Sequence, residues 1–462
     1  MSRGSFVFTP VALRSLELDK DMLERHKHKK QLASRHANSY LLRKDRSPLR
    51  SRTVQPAAFC RDVVVQNALY TGDLEATQRL FPRGATANLI IEPQGGDMRW
   101  VATGEGLWSL NYEQELTTPL HITAGRGFPD CLKLLLQRGA NVDLAPGGAT
   151  ALHESCESSQ PECTKLLLMH GADPNAVSED GLMPLHVCTS PDSLQCAKYL
   201  IQYGAAIGGR STDEDDTPLH VAARNGLPDH TELYLRYAAA VDKQNDEGLT
   251  PLNAACSQRQ EVQDLRRYFK VCQILLGAGA DVHTMDQDKH SPLHMACKSA
   301  NPDVVDLLLA NGADVNNMDY GGEAPMHYIL KVACYKVAHQ PERIIRALLN
   351  HGSIRVWPGA LHMVLKHCSV SPRSIEVLLN AYSHLKVTDK WVESVSTEVF
   401  KEHKEFYESI FSLALTPRSL QHLARHRLRS FLEGRVHKVI PKLVLPTFIK
   451  NYLLLEYRGY VH

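Results

Sequence analysis

Thr217-Pro218-Leu219-His220-Val221-Ala222-Ala223-Arg224-Asn225-Gly226 reads as instructions for starting, facing and stopping one short helix. The Thr217 hydroxyl suits the position just before a helix, where it can accept a backbone N–H that has no partner inside the helix. Pro218 suits the first helical position, because the N–H it lacks would be unpaired there anyway. Leu219, Ala222 and Ala223 fall on one face and are small enough to let a second helix lie close. Gly226 supplies the left-handed stop.

The same sentence recurs along the chain. Counting from the Thr position, it appears at Thr118, Thr150, Met183, Thr217, Thr250, Ser291 and Ala324, in steps of 32, 33, 34, 33, 41 and 33 residues. Most copies are followed by a second apolar helix ending in Gly-Ala, as in Leu134-Leu135-Leu136-Gln137-Arg138-Gly139-Ala140 and Leu307-Leu308-Leu309-Ala310-Asn311-Gly312-Ala313. A period near 33 with a Thr-Pro-Leu-His opening resembles the ankyrin repeat, in which helix pairs stack into a solenoid. An all-α stack is therefore expected over residues 117–383, with seven clear repeats and a worn last one. The 41-residue step places about eight extra residues between the two helices of one repeat, and residues 332–341 lengthen another.

Outside the period, residues 1–58 carry 13 Lys or Arg against 5 Asp or Glu, which leaves the rest of the chain at −7 against an overall +1. That segment reads as a basic, mostly disordered tail. Its Arg25-His26-Lys27-His28-Lys29-Lys30 run is either a nuclear-import or acidic-partner patch or a solvated charged stretch. Residues 59–116 combine a degenerate leading repeat with an irregular insert bearing Trp100, Trp108 and Tyr112. Residues 384–415 have the apolar spacing of a helical cap.

Several function classes are excluded or disfavoured by what the chain contains. The charge is nearly balanced, so no global field favours nucleic acid or a membrane surface. No stretch approaches the roughly 18 apolar residues of a membrane span. The 11 cysteines never form C-x-x-C and mostly fall where a repeat wants a small apolar residue, which points to a reducing interior. The protein is expected in the cytoplasm, with the nucleus open to it. His121, His153, His186, His220, His294 and His327 recur at one repeat position. They are read as buried imidazoles bonded to backbone, although pairs such as His153 and Cys156 have the look of half a zinc site. There is no P-loop, H-E-x-x-H or G-x-S-x-G, so neither a cofactor nor catalysis is expected.

From residue 416 the chain adopts a different pattern. Ser419-Leu420-Gln421-His422-Leu423-Ala424-Arg425-His426-Arg427-Leu428-Arg429 puts Leu420, Leu423, Ala424 and Leu428 on an apolar face and assigns Arg425, Arg427 and Arg429 to the wetter side. Leu443-Val444-Leu445-Pro446 follows, and then a short helix with Phe448, Ile449, Tyr452 and Leu453. The apolar stripe either docks in a partner's groove or packs back onto the cap.

Residues 416–462 resemble a SOCS box, and with the repeats the chain is similar to the ankyrin-repeat and SOCS-box family. The family's Elongin-binding helix reads small-Leu-x-x-x-Cys-x-x-x-apolar; Ser419, Leu420 and Leu428 match and Ala424 replaces the Cys. Its cullin-binding part reads Leu-Pro-x-Pro with a later Tyr-Leu; Leu443, Leu445, Pro446, Tyr452 and Leu453 match and Val444 replaces a Pro. The resemblance implies Elongin contacts at Leu420, Leu423, Ala424 and Leu428, and cullin contacts at Leu443, Leu445, Pro446 and Tyr452. The implied partners are Elongin B and Elongin C, and a cullin (cullin-five) with its RING partner.

The expected function is that of a non-catalytic substrate receptor of a ubiquitin ligase. Its rivals are an ankyrin adaptor or scaffold without ligase recruitment, and a metal- or thiol-dependent enzyme. The target protein is held by the stack, with Arg224, Asn225, Lys298 and the acidic turn Glu214-Asp215-Asp216 expected exposed on its concave side.

Overall fold

A computed structural model of the chain describes residues 59–60, 62–82, 85–91, 100–102, 108–110, 116–413 and 417–456. The basic segment 1–58 and Tyr112 lie outside the described residues.

The repeats fold as helix pairs: Pro119–Arg126 with Pro129–Gln137, Ala151–Glu157 with Pro161–Met169, Pro218–Arg224 with Pro228–Arg236, Pro251–Ser257 with Leu265–Gly277, Pro292–Ser299 with Pro302–Ala310, and Pro325–Val332 with Pro341–Asn350. A leading pair, Val63–Thr71 and Leu74–Leu80, is capped by the carboxylates of Asp62 and Asp73. A last pair, Leu361–Cys368 and Pro372–Leu379, precedes three short capping helices between Asp389 and Ser412. The insert contains a short antiparallel pair, Trp100–Ala102 against Trp108–Leu110. Phe59–Cys60 runs parallel to Ile90–Ile91.

The third repeat departs from the expected pattern. Met183-Pro184-Leu185-His186 makes a single turn rather than a helix, and the chain resumes in Leu194–Gln202. Met183 lacks the capping hydroxyl, and Pro191 follows it by eight residues where Pro228 follows Thr217 by eleven. A proline disfavours the helical region for the residue before it, which truncates the first helix. Leu185 and His186 stay buried all the same.

One core runs the length of the stack. Leu120, Leu152, Leu219, Leu252, Leu293 and Met326 occupy the same repeat position, and all are buried. Cys156, Cys256 and Cys297 stand where Ala223 stands, and burial first of all (for Cys256, the Cys272 thiol before it) raises their thiols, so they act as small neutral fillers.

The recurring histidine joins five of the repeats to the next, whereas His327, among the described residues, bonds only the Ala324 N–H through Nδ1. Nε2 of His121, His153, His186, His220 and His294 bonds the carbonyl oxygen of Ala149, Leu182, Asp216, Leu249 and Glu323 at 2.9, 3.0, 3.0, 3.0 and 3.2 Å. Each of those carbonyls sits just before the next repeat's cap residue. At the other end of the ring, Nδ1 of His153 and His220 accepts the backbone N–H of Thr150 and Thr217, each at 3.2 Å. That N–H fixes Nδ1 as acceptor and leaves Nε2–H to donate, so the ring is neutral. Asn253 interrupts the series. It stands at the histidine position, and its buried Nδ2 has no partner among the described residues. On the opposite edge, the two lengthened repeats meet across the sixth, where Lys336 Nζ donates to Gln260 O at 2.6 Å and Asn301 Nδ2 to Gln260 Oε1 at 2.7 Å.

Because repeats stabilise only their neighbours, removing a core leucine should loosen more than its own helix. Leu219→Ala should cost roughly 2–5 kcal/mol in a urea or guanidinium titration; an unchanged midpoint would contradict this register. The histidines add a pH signature. Burial lowers all five, His121 to about 4, against an unfolded value near 6.5. The unfolded chain therefore binds more protons between those values, so stability is full above about pH 6.5 and falls as pH drops toward 4. His121 alone is worth on the order of 3 kcal/mol across that window. Denaturation midpoints that stayed level from pH 7.5 to 4.5 would refute it.

Candidate adaptor-binding face

Helix Leu420–Leu432 starts at Ser419, whose Oγ accepts the His422 N–H at 3.1 Å. Its neighbours explain which face it buries. Helices Pro341–Asn350 and Pro372–Leu379 end beneath it, and each leaves its last carbonyl groups without intrahelical partners. Arg429 donates to Leu349 O, Asn350 Oδ1 and Leu453 O at 3.2, 2.7 and 2.7 Å. Arg425 reaches Asn380 O at 3.2 Å, and its guanidinium lies 4.2 Å above the Tyr452 ring. Arg418 donates to Leu379 O at 3.1 Å. His422 Nε2 bonds Tyr382 O at 2.7 Å. Cations at helix C-termini also meet the negative end of the helix dipole.

The arginine side is thus the buried side, which corrects the sequence reading for Arg425 and Arg429; only Arg427 of the three is exposed. Burial, with Arg425 nearby, pulls Arg429 down to about 9 and Arg418 to about 10. Burial likewise lowers His422 to about 4. A periodicity argument counts apolar positions and cannot see acceptors contributed by a distant helix.

The opposite side faces outward. Leu420 is 85% exposed and Ala424 is exposed, whereas Leu423 is half-buried. Leu428, half-buried, packs against the box's own small core of Leu432, Val436, Ile440 and Leu453. Leu443 and Leu445 pack against the same core, half-buried. Pro446 is exposed before helix Thr447–Leu453, beside Val444 and Phe448, which are also exposed. Tyr452 is 4% exposed beneath Arg425, so it shapes the box and presents no surface of its own. Phe431, which the sequence reading did not single out, is 75% exposed on the outward side.

The residues expected to hold a target are mostly tied to one another. Arg224 bridges Glu214 and Asp216 at 2.6 and 2.9 Å, holding the Glu214 carboxyl below its ordinary range. Asp216 is buried and accepts Asn245 Nδ2 at 2.8 Å. Asp215 pairs with Arg210, and Asn225 bonds Val221 O at 2.9 Å. Glu214 and Lys298 are exposed, as expected; Arg224, Asp215, Asp216 and Asn225 are not. These tertiary pairings have no signature in local spacing. Among the described residues, no three His, Cys, Asp or Glu side chains converge as a metal site, and no helix is long and apolar enough to cross a membrane.

The arginine contacts yield a direct test. Arg429→Met removes three donors and leaves helix-end carbonyls unmet, at about 1.5–3 kcal/mol for bonds to a charged group. Hydrogen exchange should then rise in 420–432 and at 348–350 while repeats 117–300 keep their protection. Unchanged exchange at the junction would show that these bonds do not hold the box.

Family models place this architecture among known proteins. Residues 416–454 match the model for the SOCS box, and overlapping windows from 66 to 358 match the model for ankyrin repeats. Human ankyrin repeat and SOCS box protein 10 is 48% identical over 371 residues, 79% of each chain. Human ankyrin repeat and SOCS box protein 16 is 39% identical over 459 residues, 99% of each chain. Human ankyrin repeat and SOCS box protein 18 is 44% identical over 398 residues, 85% of each. The chain belongs to the ankyrin repeat and SOCS box protein family.

Proposed function

We propose that this protein is a substrate receptor of a ubiquitin ligase. Its repeats hold a target protein, and its box recruits Elongin B and Elongin C together with a cullin, cullin-five, and its RING partner. The observation that carries this reading is the outward apolar side of helix Leu420–Leu432. With the arginine side committed to the stack, that stripe is left for a partner's groove, a common mode of helix recognition. The receptor supplies no reacting group. It raises the rate of ubiquitin transfer by proximity, holding target lysines near a conjugating enzyme so that an encounter becomes effectively intramolecular.

Cullin contact rests on the exposed edge formed by Val444 and Pro446, next to Phe448. The target-binding surface belongs to the concave side of the stack, with Glu214 and Lys298 among its exposed charges. The second reading, an ankyrin adaptor without ligase recruitment, draws on Ala424 and Val444, which stand where the family pattern has Cys and Pro.

Purified Elongin B–C separates the two. Leu420→Ala should weaken capture by roughly 2 kcal/mol or more, the size of a hot-spot truncation, with the melting temperature unchanged because Leu420 is exposed. Val444→Asp combined with Pro446→Ser should keep Elongin binding and lose the cullin. Wild-type protein that is folded and does not capture Elongin B–C at micromolar concentration would favour the adaptor.

A further inference from the structure

We infer that Phe431 is a second large anchor for the adaptor, so that the docking stripe runs Leu420, Ala424, Arg427, Phe431 rather than ending at Leu428; this rests on the receptor reading above. These four positions follow i, i+4, i+7 and i+11, which keeps them on one line along the helix, about 16 Å long. One step around the helix, Leu432 lies in the box core and Leu428, half-buried, packs against it. The line carries Leu420 at 85% and Phe431 at 75% exposure, with the small Ala424 between them. The surface is two apolar knobs separated by a shallow centre, and the aliphatic stem of Arg427 continues the apolar track while its charge reaches the rim.

The exposed charge of the box is mostly basic, which points to the partner's chemistry. Arg427, Arg435, Lys438 and Lys442 are exposed, against a single exposed acid among residues 417–456, Glu433. A complementary groove is therefore apolar along about three helical turns, has a pocket at each end, and is rimmed by acidic groups. A shallow centre at Ala424 shifts the burden of anchoring toward the ends, and an exposed aromatic is the side chain best suited to carry it.

The test is calorimetry of the full chain with purified Elongin B–C, comparing wild type with Phe431→Ala, Phe431→Leu and Leu420→Ala, each checked by thermal melting. The expected result is a loss of about tenfold or more for Phe431→Ala, recovery of most of that loss in Phe431→Leu, and unchanged melting. Affinity should also fall with added salt, as cations facing an acidic rim require. Wild-type binding that Leu420→Ala abolishes and Phe431→Ala leaves within about twofold would overturn this inference while sparing the receptor reading. Absence of any wild-type binding would overturn the receptor reading itself. Self-association of the wild type that Phe431→Ala abolishes would assign the stripe to a second copy of the chain and overturn the inference.

Discussion

A stack of helix pairs has no closed core, so every repeat depends on whatever covers its two open sides. In this chain the covering is both apolar and polar. The leucine at one repeat position fills the space between pairs, and the neutral imidazole after it crosses to a carbonyl of the next repeat. Apolar contact alone would let neighbouring repeats slide and rotate, since it is not directional. A buried hydrogen bond with two fixed ends sets the spacing and the register. The series lapses at Asn253, and it is around that repeat that the two lengthened loops join through Gln260 on the other edge.

The same requirement governs the C-terminal end. The last two second helices end in carbonyl groups that need donors, and the box provides them from Arg418, Arg425 and Arg429. The arginines therefore act as a cap for the stack, and by taking that side of the helix they leave the leucine and phenylalanine side outward. One allocation of faces thus fixes both the packing of the box and the surface it leaves exposed. A box fixed by several charged hydrogen bonds also has a fixed direction relative to the repeats, as the proposed proximity mechanism requires.

Much of this was legible in the sequence because ankyrin rules are local and repeated. Thr217 through Gly226 carries the cap, the core face and the stop of its helix, and six similar stretches carry the rest of the stack. The shortened third repeat was legible in principle from Pro191, which follows Met183 too soon for a full helix. What local pattern does not hold is tertiary partnership. Arg425 and Arg429 look solvent-facing until the carbonyls of residues 349 and 380 are placed under them. Arg224, Glu214 and Asp216 look like free charges until the turn brings them together. Tyr452 matched a cullin motif but spends its ring on Arg425. The family pattern points to one helix, and the packing then decides which residues on it are exposed.

On the proposed function, the outward side of helix Leu420–Leu432 binds the adaptor while the arginine side stays on the stack. A structure of the full chain bound to Elongin B and Elongin C tests it most directly. Leu420 and Phe431 should be buried in the adaptor, with Arg425 and Arg429 still on the carbonyls of residues 380 and 349. A complex in which the helix has turned over, freeing the arginines and burying its leucines against the stack, would contradict it.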